Sequence, residues 1–254
     1  MVNTAVSVAG WVAAGLAGAL AVNVRRAYGD RMEAVARACH ELRGPLTAAC
    51  LGLATPAGQE RPSPGRLRAI DTELGRAALA LDDLSGAGGG AQRLWRLDRV
   101  DVRELVADCA EAWRAAASAA GSAISVGGSG AETSVGGGGA EAAVWGDRLR
   151  LAQAIGNLIA NAVEHGRDLV EVEVVVRVGT VRVAVADGGP GLPATVAELR
   201  RRPRRGRGAR GRGLAIAAEV AEAHGGSLVS APAQHGARLV MELPAALPGQ
   251  DSAG

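Results

Sequence analysis

From Met32 onward the apolar positions recur at alternating steps of three and four: Met32, Val35, Cys39, Leu42, Leu46, Ala49 and Leu53. That spacing winds a single apolar seam along a helix, as in a coiled coil. A break containing Pro and Gly follows over residues 55–65, and the pattern resumes at Leu67, Ile70, Leu74, Ala77, Leu81 and Leu84. Two such helices joined by a short loop predict an antiparallel hairpin. A lone hairpin cannot bury its own seam, so two copies forming a four-helix bundle, a homodimer, are expected.

After the Gly-rich stretch from Ser85 to Ala91 the period changes. Residues 102–117 and 148–165 read as helices, and Ala123 to Val126 and Ala142 to Trp145 as short strands. Between those strands, Gly127 to Gly139 is a low-complexity loop. The clearest sheet signal is the alternation of Val170, Val172, Val174, Val176 and Val178 with Glu171, Glu173 and Arg177. Gly179-Thr180 is the expected two-residue turn, after which Val181, Val183 and Val185 return. One face of that hairpin needs cover, and the helices can supply it. A helix over 213–224, stopped by Gly225-Gly226, and strands over 227–231 and 237–243 complete the pattern. The fold class read from this order is α+β.

The N-terminus carries a different pattern. Val6 to Val24 is an uncharged run rich in Ala, Gly, Val and Leu, close to the ~20 residues a spanning helix needs. Arg25, Arg26 and Arg31 follow it, and no charged side chain precedes it. By the positive-inside rule, the run is expected to be a single-pass anchor with everything after Arg25 in the cytoplasm, a soluble or interfacial helix being the alternative for so Ala-rich a run. A cleaved signal peptide is disfavoured because Met1 to Ala5 has no basic segment. The expected organisation is an anchor over 1–27, a dimerisation hairpin over 28–86 and a linker over 87–93. A catalytic domain over 94–245 and a disordered tail over 246–254 follow.

Composition changes this picture little. The chain has no Phe and no Lys, so its core must be built from Leu, Val, Ile and Ala. A formal net charge of +2 gives no global pull toward nucleic acid. Eight arginines do crowd into Arg200 to Arg212, but no aromatic residues are interleaved for base stacking. That run reads either as a lid over an anionic ligand or as a solvated basic loop. Cys39, Cys50 and Cys109 are too few and wrongly spaced for a zinc site or a disulfide framework.

Candidate chemistry falls on four segments. His40, followed by Glu41, lies one position past seam residue Cys39, which points its ring away from the bundle core. Pro45 would bend the helix just beyond it by clashing with the carbonyl of Glu41. Glu41 can orient the imidazole and accept its proton, although an isolated His-Glu pair is also an ordinary polar face. Asn157, Asn161 and Glu164 form one polar stripe opposite Ile155 and Ile159. Carboxamides there suit a hydrated Mg²⁺ and its phosphates. Asp187-Gly188-Gly189-Pro190-Gly191 ends a strand, where a carboxylate can accept from an adenine amino group while glycines let the base approach. Gly211, Gly213 and Leu214 open a helix whose free amides favour phosphate. Residues 206–211 match a dinucleotide fingerprint, but no strand precedes them, so that reading is rejected.

Together these segments resemble the phosphoacceptor, N, G1 and G2 boxes of the sensor histidine kinases of bacterial two-component systems, in order, from about Asp30 to Leu243. The resemblance implies a dimeric helical-hairpin domain followed by an α/β sandwich ATPase domain of the gyrase and histidine-kinase type. It implies ATP and Mg²⁺ as cofactors, and a response-regulator aspartate as the final acceptor. His40 would be the phosphoacceptor and Glu41 its acid/base neighbour. Asn157 and Asn161 would be the N-box residues, with Asn161 the Mg²⁺ ligand. Asp187, with Gly189 and Gly191, would read adenine, and Gly211 and Gly213 would lie near the phosphates. Several positions depart from the pattern. Glu164 stands where the family usually has a basic residue, and the Phe-containing box is absent. Ala209 and Arg212 replace a customary Gly and Leu. Gly44 stands where relatives with strong phosphatase activity carry Thr or Asn, so weak dephosphorylation of the partner is expected. The rival readings are a degenerate ATP-binding pseudokinase or dimeric membrane scaffold, and a serine kinase of the anti-sigma type.

Overall fold

The computed structural model describes residues 2–53, 63–86, 97–127, 141–201 and 212–246. Helix α1 (Val2–Leu53) runs through Pro45 without ending, and α2 (Pro64–Gly86) packs along it. Ser63 caps α2 by accepting from the amide of Arg66 at 3.2 Å, and Pro64 opens the helix, where its missing N–H is no loss. The apolar run from Val6 to Val24 lies inside α1. Among the described residues no helix is long and apolar enough to cross a membrane.

The heptad seam divides in two. Ala49, Ile70 and Ala77 are buried within the hairpin, whereas Leu67 and Leu74, one heptad apart, stay 51% and 49% exposed. Met32 and Leu46 on α1 are exposed as well. Among the described seam positions, one hairpin therefore buries only Ala49, Ile70 and Ala77 and leaves most of its apolar stripe exposed.

The rest is a helix-on-sheet sandwich. Strands β2 (Ala123–Gly127), β4 (Leu169–Arg177), β5 (Thr180–Ala186), β6 (Ser227–Ala231) and β7 (Arg238–Pro244) form one sheet in the order β2-β4-β5-β7-β6. Only the β2–β4 pair is parallel. Helices α3 (Val102–Ala119), α4 (Arg148–His165) and α6 (Arg212–Ala223) cover one face. Their Leu105, Trp113, Leu151, Ile155, Leu158, Ile159 and Leu214 meet Val170, Val172, Val183, Val185 and Met241, all buried. The opposite face carries charge, in the pairs Arg182–Glu242 at 2.6 Å and Arg238–Glu173 at 2.9 Å. Alternation along β4 and β5 thus sorts valines inward and charges outward.

Side-chain caps fix where the two main helices begin. Asp101 accepts from the amides of Arg103 and Glu104 at 2.8 and 3.2 Å, and Asp147 from those of Leu149 and Arg150 at 3.0 and 3.1 Å. Each such cap contributes about 1 kcal/mol.

One local expectation needs correction, and two elements are additions. The β4–β5 turn is Val178-Gly179, because Arg177 pairs with Thr180, and Gly179 takes the positive φ of 72° that the turn requires. The turn therefore sits one residue earlier than Gly179-Thr180, and Val178 points fully into solvent. Strand β1 (Asp98–Asp101), paired with β3 (Ala143–Gly146), is an addition, since a single inward Val100 leaves no alternation to read. Helix α5 (Val196–Arg201) is a second, built on Thr195, whose side chain and amide both bond Glu198.

The hairpin also rests directly on the sandwich. Gly44 of α1 lies against Trp113, and Gly75 of α2 against Leu149. Arg68 of α2 reaches Asp108 of α3 at 3.8 Å, and Asp108 is also held by Arg148 at 2.8 Å. Burial raises the Asp108 carboxyl above the usual range, an effect the Arg148 charge opposes. Cys109 beside it is fully buried with its thiol pushed up to about 12, so it acts as an inert apolar residue.

Candidate functional site

A cavity of about 670 Å³ opens between the C-terminal half of α4, the end of β5 and the start of α6, within the usual size range of small-molecule sites. Its wall includes Asn161, Glu164, His165 and Arg167 from α4 and just beyond, and Asp187, Pro190, Gly191 and Leu192 from the turn after β5. Leu199, Leu214 and Ala237 close it.

Asp187 is the buried carboxylate of this wall, 8% exposed. Its Oδ1 accepts from the amide of Gly189 at 2.8 Å and, more weakly, from that of Ala237 at 3.4 Å. Its Oδ2 has no hydrogen-bond partner among the described residues. One oxygen thus holds the turn, and the other remains as an acceptor for a ligand donor group.

Close backbone approaches build the setting. A Cβ on Gly236 would lie 1.7 Å from the Asp187 carbonyl oxygen, and one on Gly189 would lie 2.5 Å from that of His165. Gly236 and Gly191 both take positive φ, 70° and 82°, which glycine adopts without strain. A Cβ on Gly166 would fall 2.7 Å from Asp187 Cβ. The end of α4, the turn after β5 and the β6–β7 loop therefore converge on one aspartate.

The two asparagines do not play the same part. Asn161 lines the cavity. Asn157, one turn earlier, has its Oδ1 held by Arg76 Nη2 at 3.2 Å, and its Nδ2 donates to the carbonyl of Gly213 at 3.5 Å. Gly213 sits against it in the first turn of α6, and Leu214 is buried beside the cavity. Helix α6 presents its N-terminal amides on this side, with the positive end of its dipole.

Sequence reading missed Gly166, His165, Arg167, Gly236 and Arg76. Gly166, just past the helix, carried a stop signal. Gly236 acts through a contact with Asp187 that only the folded sheet creates, and Arg76 through one that only docking of the hairpin creates. Gly211 lies outside the described residues, as do the side chains of His40 and Glu41, whose backbone is helical within α1.

Among the described residues no cluster of three or more His, Cys, Asp or Glu side chains could hold a metal by itself. An ion such as Mg²⁺ keeps waters and is bound through few protein groups plus ligand phosphates. Asn161, with Glu164 near it, supplies oxygen donors of the required hardness.

Residues 146–247 match the family model of the histidine kinase-, DNA gyrase B-, and HSP90-like ATPases. The chain is 29% identical over 234 residues to the alginate biosynthesis sensor protein KinB of Pseudomonas aeruginosa, covering 84% of this chain and 37% of KinB. It is 38% identical over 102 residues to the sensor-type histidine kinase PrrB of Mycobacterium tuberculosis, covering 37% of this chain and 23% of PrrB. The chain therefore spans well under two thirds of these relatives. Full-length ShkA, solved in complex with AMPPNP, superposes with a TM-score of 0.51 at 28% identity, over 80% of this chain and 42% of ShkA. The catalytic domain of histidine kinase ThkA shares the fold, with a TM-score of 0.50 at 20% identity, over 59% of this chain and 95% of that domain.

Proposed function

We propose that the chain, which carries an ATPase domain of the histidine-kinase, gyrase B and HSP90 type at residues 146–247 and resembles bacterial sensor histidine kinases over most of its length, is an ATP-dependent protein-histidine kinase. The observation that carries the reading is the Asp187 carboxylate, with one oxygen fixed by the turn and the other free at a cavity lined by Asn161 and Leu214. Oδ2 accepts from the adenine amino group, and Gly191 leaves room for the base. The triphosphate extends toward Asn161 and the amides of α6, with Gly211 and Gly213 beside it. Asn161 would hold Mg²⁺ together with the phosphates, and the ion would supply neutralisation of the charge that builds up in transfer.

On the hairpin, a ring nitrogen of His40 attacks the γ-phosphorus. The bond to the β,γ-bridging oxygen breaks, ADP leaves, and the proton of the other ring nitrogen passes to Glu41. A response-regulator aspartate then takes the phosphoryl group from the imidazole. Such a loose transition state needs positioning and charge neutralisation above all. The half-exposed stripe of Met32, Leu46, Leu67 and Leu74 supports a homodimer, in which a second hairpin completes the seam. The uncharged run from Val6 to Val24 supports a single-pass anchor in the plasma membrane, with the catalytic part cytoplasmic.

One experiment tests these points together. Membranes carrying the full chain are washed at alkaline pH and incubated with γ-labelled ATP. Acid-labile, base-stable label should appear on the chain in the washed pellet and vanish in His40→Gln. Label that persists in His40→Gln rules out the acceptor assignment, and chain lost to the wash rules out the anchor. A pseudokinase is the second reading, favoured by Glu164 at the cavity wall. Nucleotide binding without any label would select it.

A further inference from the structure

The contact between hairpin and sandwich contains an ion pair that the proposed reaction does not use. Glu73 and Arg76 are 0% and 2% exposed, and Arg76 Nη1 lies 2.6 and 2.8 Å from the two carboxylate oxygens. Arg76 Nη2 crosses to α4 and donates to Asn157 Oδ1 at 3.2 Å. Helix α4 is notched to receive it, because a Cβ on Gly156 would stand 2.0 Å from Nη1. Gly75 forms a second notch, where a Cβ would stand 2.8 Å from Leu149 Cδ2.

The ion pair itself does not resist separation of the hairpin from the sandwich. A buried ion pair whose halves sat on opposite sides would leave an uncompensated charge on opening. Here both charges belong to α2, three residues apart, so they stay paired when the helices part and regain hydration. Arg76 Nε, buried without a partner, regains water too. What opening surrenders directly from Arg76 is one hydrogen bond, the one on Asn157.

Asn157 stands on the same polar stripe as Asn161 and touches Gly213 at the opening of α6. We propose that Arg76 competes with MgATP for Asn157. In the docked form the guanidinium holds the carboxamide oxygen, and the nucleotide must displace it, so nucleotide loading and release of the hairpin are one linked equilibrium. The inference rests on the nucleotide reading of the cavity. Linkage makes it reciprocal: a weaker hold by Arg76 gives tighter nucleotide binding.

The test uses the full chain, non-hydrolysable AMPPNP with Mg²⁺, titration calorimetry and amide hydrogen exchange. Glu73→Gln/Arg76→Met removes both charges with little change in volume. Gly156→Ala evicts the guanidinium from its notch, keeps the ion pair and favours the helix. Both variants should bind the nucleotide at least about fivefold tighter than wild type, the low end of ordinary coupling between sites. Without nucleotide, exchange in the 69–80 and 149–157 segments should be faster in the variants than in wild type. In wild type, adding nucleotide should produce the same acceleration. Unchanged or weaker affinity in the variants overturns the competition, as does unchanged exchange while nucleotide still binds. If neither wild type nor variants bind nucleotide, the reading of the cavity fails and the competition falls with it.

Discussion

Replacing Asp187 by Asn separates the two tasks assigned to its carboxylate. The side chain keeps its size, and Oδ1 still accepts from Gly189 at 2.8 Å and Ala237 at 3.4 Å, so the turn should survive. The bonds on Oδ1 change from charged to neutral, so the folding penalty expected is about 1–1.5 kcal/mol for the short one. At the cavity the effect is larger. Oδ2 becomes an NH₂ group, and a donor then faces the donor amino group of adenine. A hydrogen bond involving a charged partner contributes about 1.5–3 kcal/mol, so ATP affinity should fall roughly 10- to 150-fold. Hypoxanthine carries a carbonyl where adenine has the amino group, and the new NH₂ can donate to it. Inosine triphosphate should therefore lose much less affinity, or gain some.

Calorimetric titration of both nucleotides against wild type and Asp187→Asn measures this, with urea unfolding as the control for fold. A folded variant that binds ATP as well as wild type refutes base reading by Asp187. An equal loss for both nucleotides refutes it too, because it places the damage in the turn and not in the hydrogen bond.

Two further outcomes follow from the same geometry. Leu74→Asp should shift the chain from dimer to monomer in sedimentation, since half of a leucine burial, about 1 kcal/mol, is lost per copy and a carboxylate is forced into the seam; dimers that persist at the same concentration refute the proposed seam. His224 donates from Nδ1 to the Val220 carbonyl at 2.7 Å and accepts at Nε2 from the Asp147 amide at 3.1 Å, so the neutral ring fits and the charged ring does not. Burial pushes its pKa below the ordinary 6.5. Between the lowered value and 6.5 the unfolded chain binds more protons, so this contribution is intact above 6.5 and is lost as the pH falls. Urea midpoints should show wild type losing its advantage over His224→Phe on acidification, and a constant difference refutes the linkage.

Elements defined by local chemistry were legible from sequence. The bounds of α4 are set by Asp147 as its cap and by Gly166 after His165, and both are visible as residue types. The inward valines of β4 and β5 were visible as alternation, though their turn moved by one residue because Gly179 had to occupy the positive-φ position. Less legible were features created by distant chain segments meeting. The pinning of Asp187 by Ala237 joins residues 50 apart, and the clasp of Asn157 by Arg76 joins residues 81 apart. No period or spacing encodes either. The same limit applies to Asn157 and Asn161: they share a helical face, so spacing alone does not separate them, whereas in the fold Asn161 lines the cavity and Arg76 clasps Asn157.

The charge of the cavity narrows what it can bind. Two carboxylates, Glu164 and Asp187, line it with one guanidinium, Arg167, and the ring of His165. Like charges about 4 Å apart repel by roughly 4 kcal/mol at the effective dielectric of a protein surface. A bare polyphosphate next to Glu164 is therefore disfavoured, and the loss must be offset locally. The dipole of α6 supplies only about half a positive charge. Three arginines of the basic run, Arg200, Arg201 and Arg212, have their backbones at the ends of α5 and α6, whose Leu199 and Leu214 line the same cavity. Under the nucleotide reading proposed above, a divalent cation between Asn161 and the phosphates would cancel more charge than the dipole does. On that reading, the metal complex suits this wall better than a bare polyphosphate does.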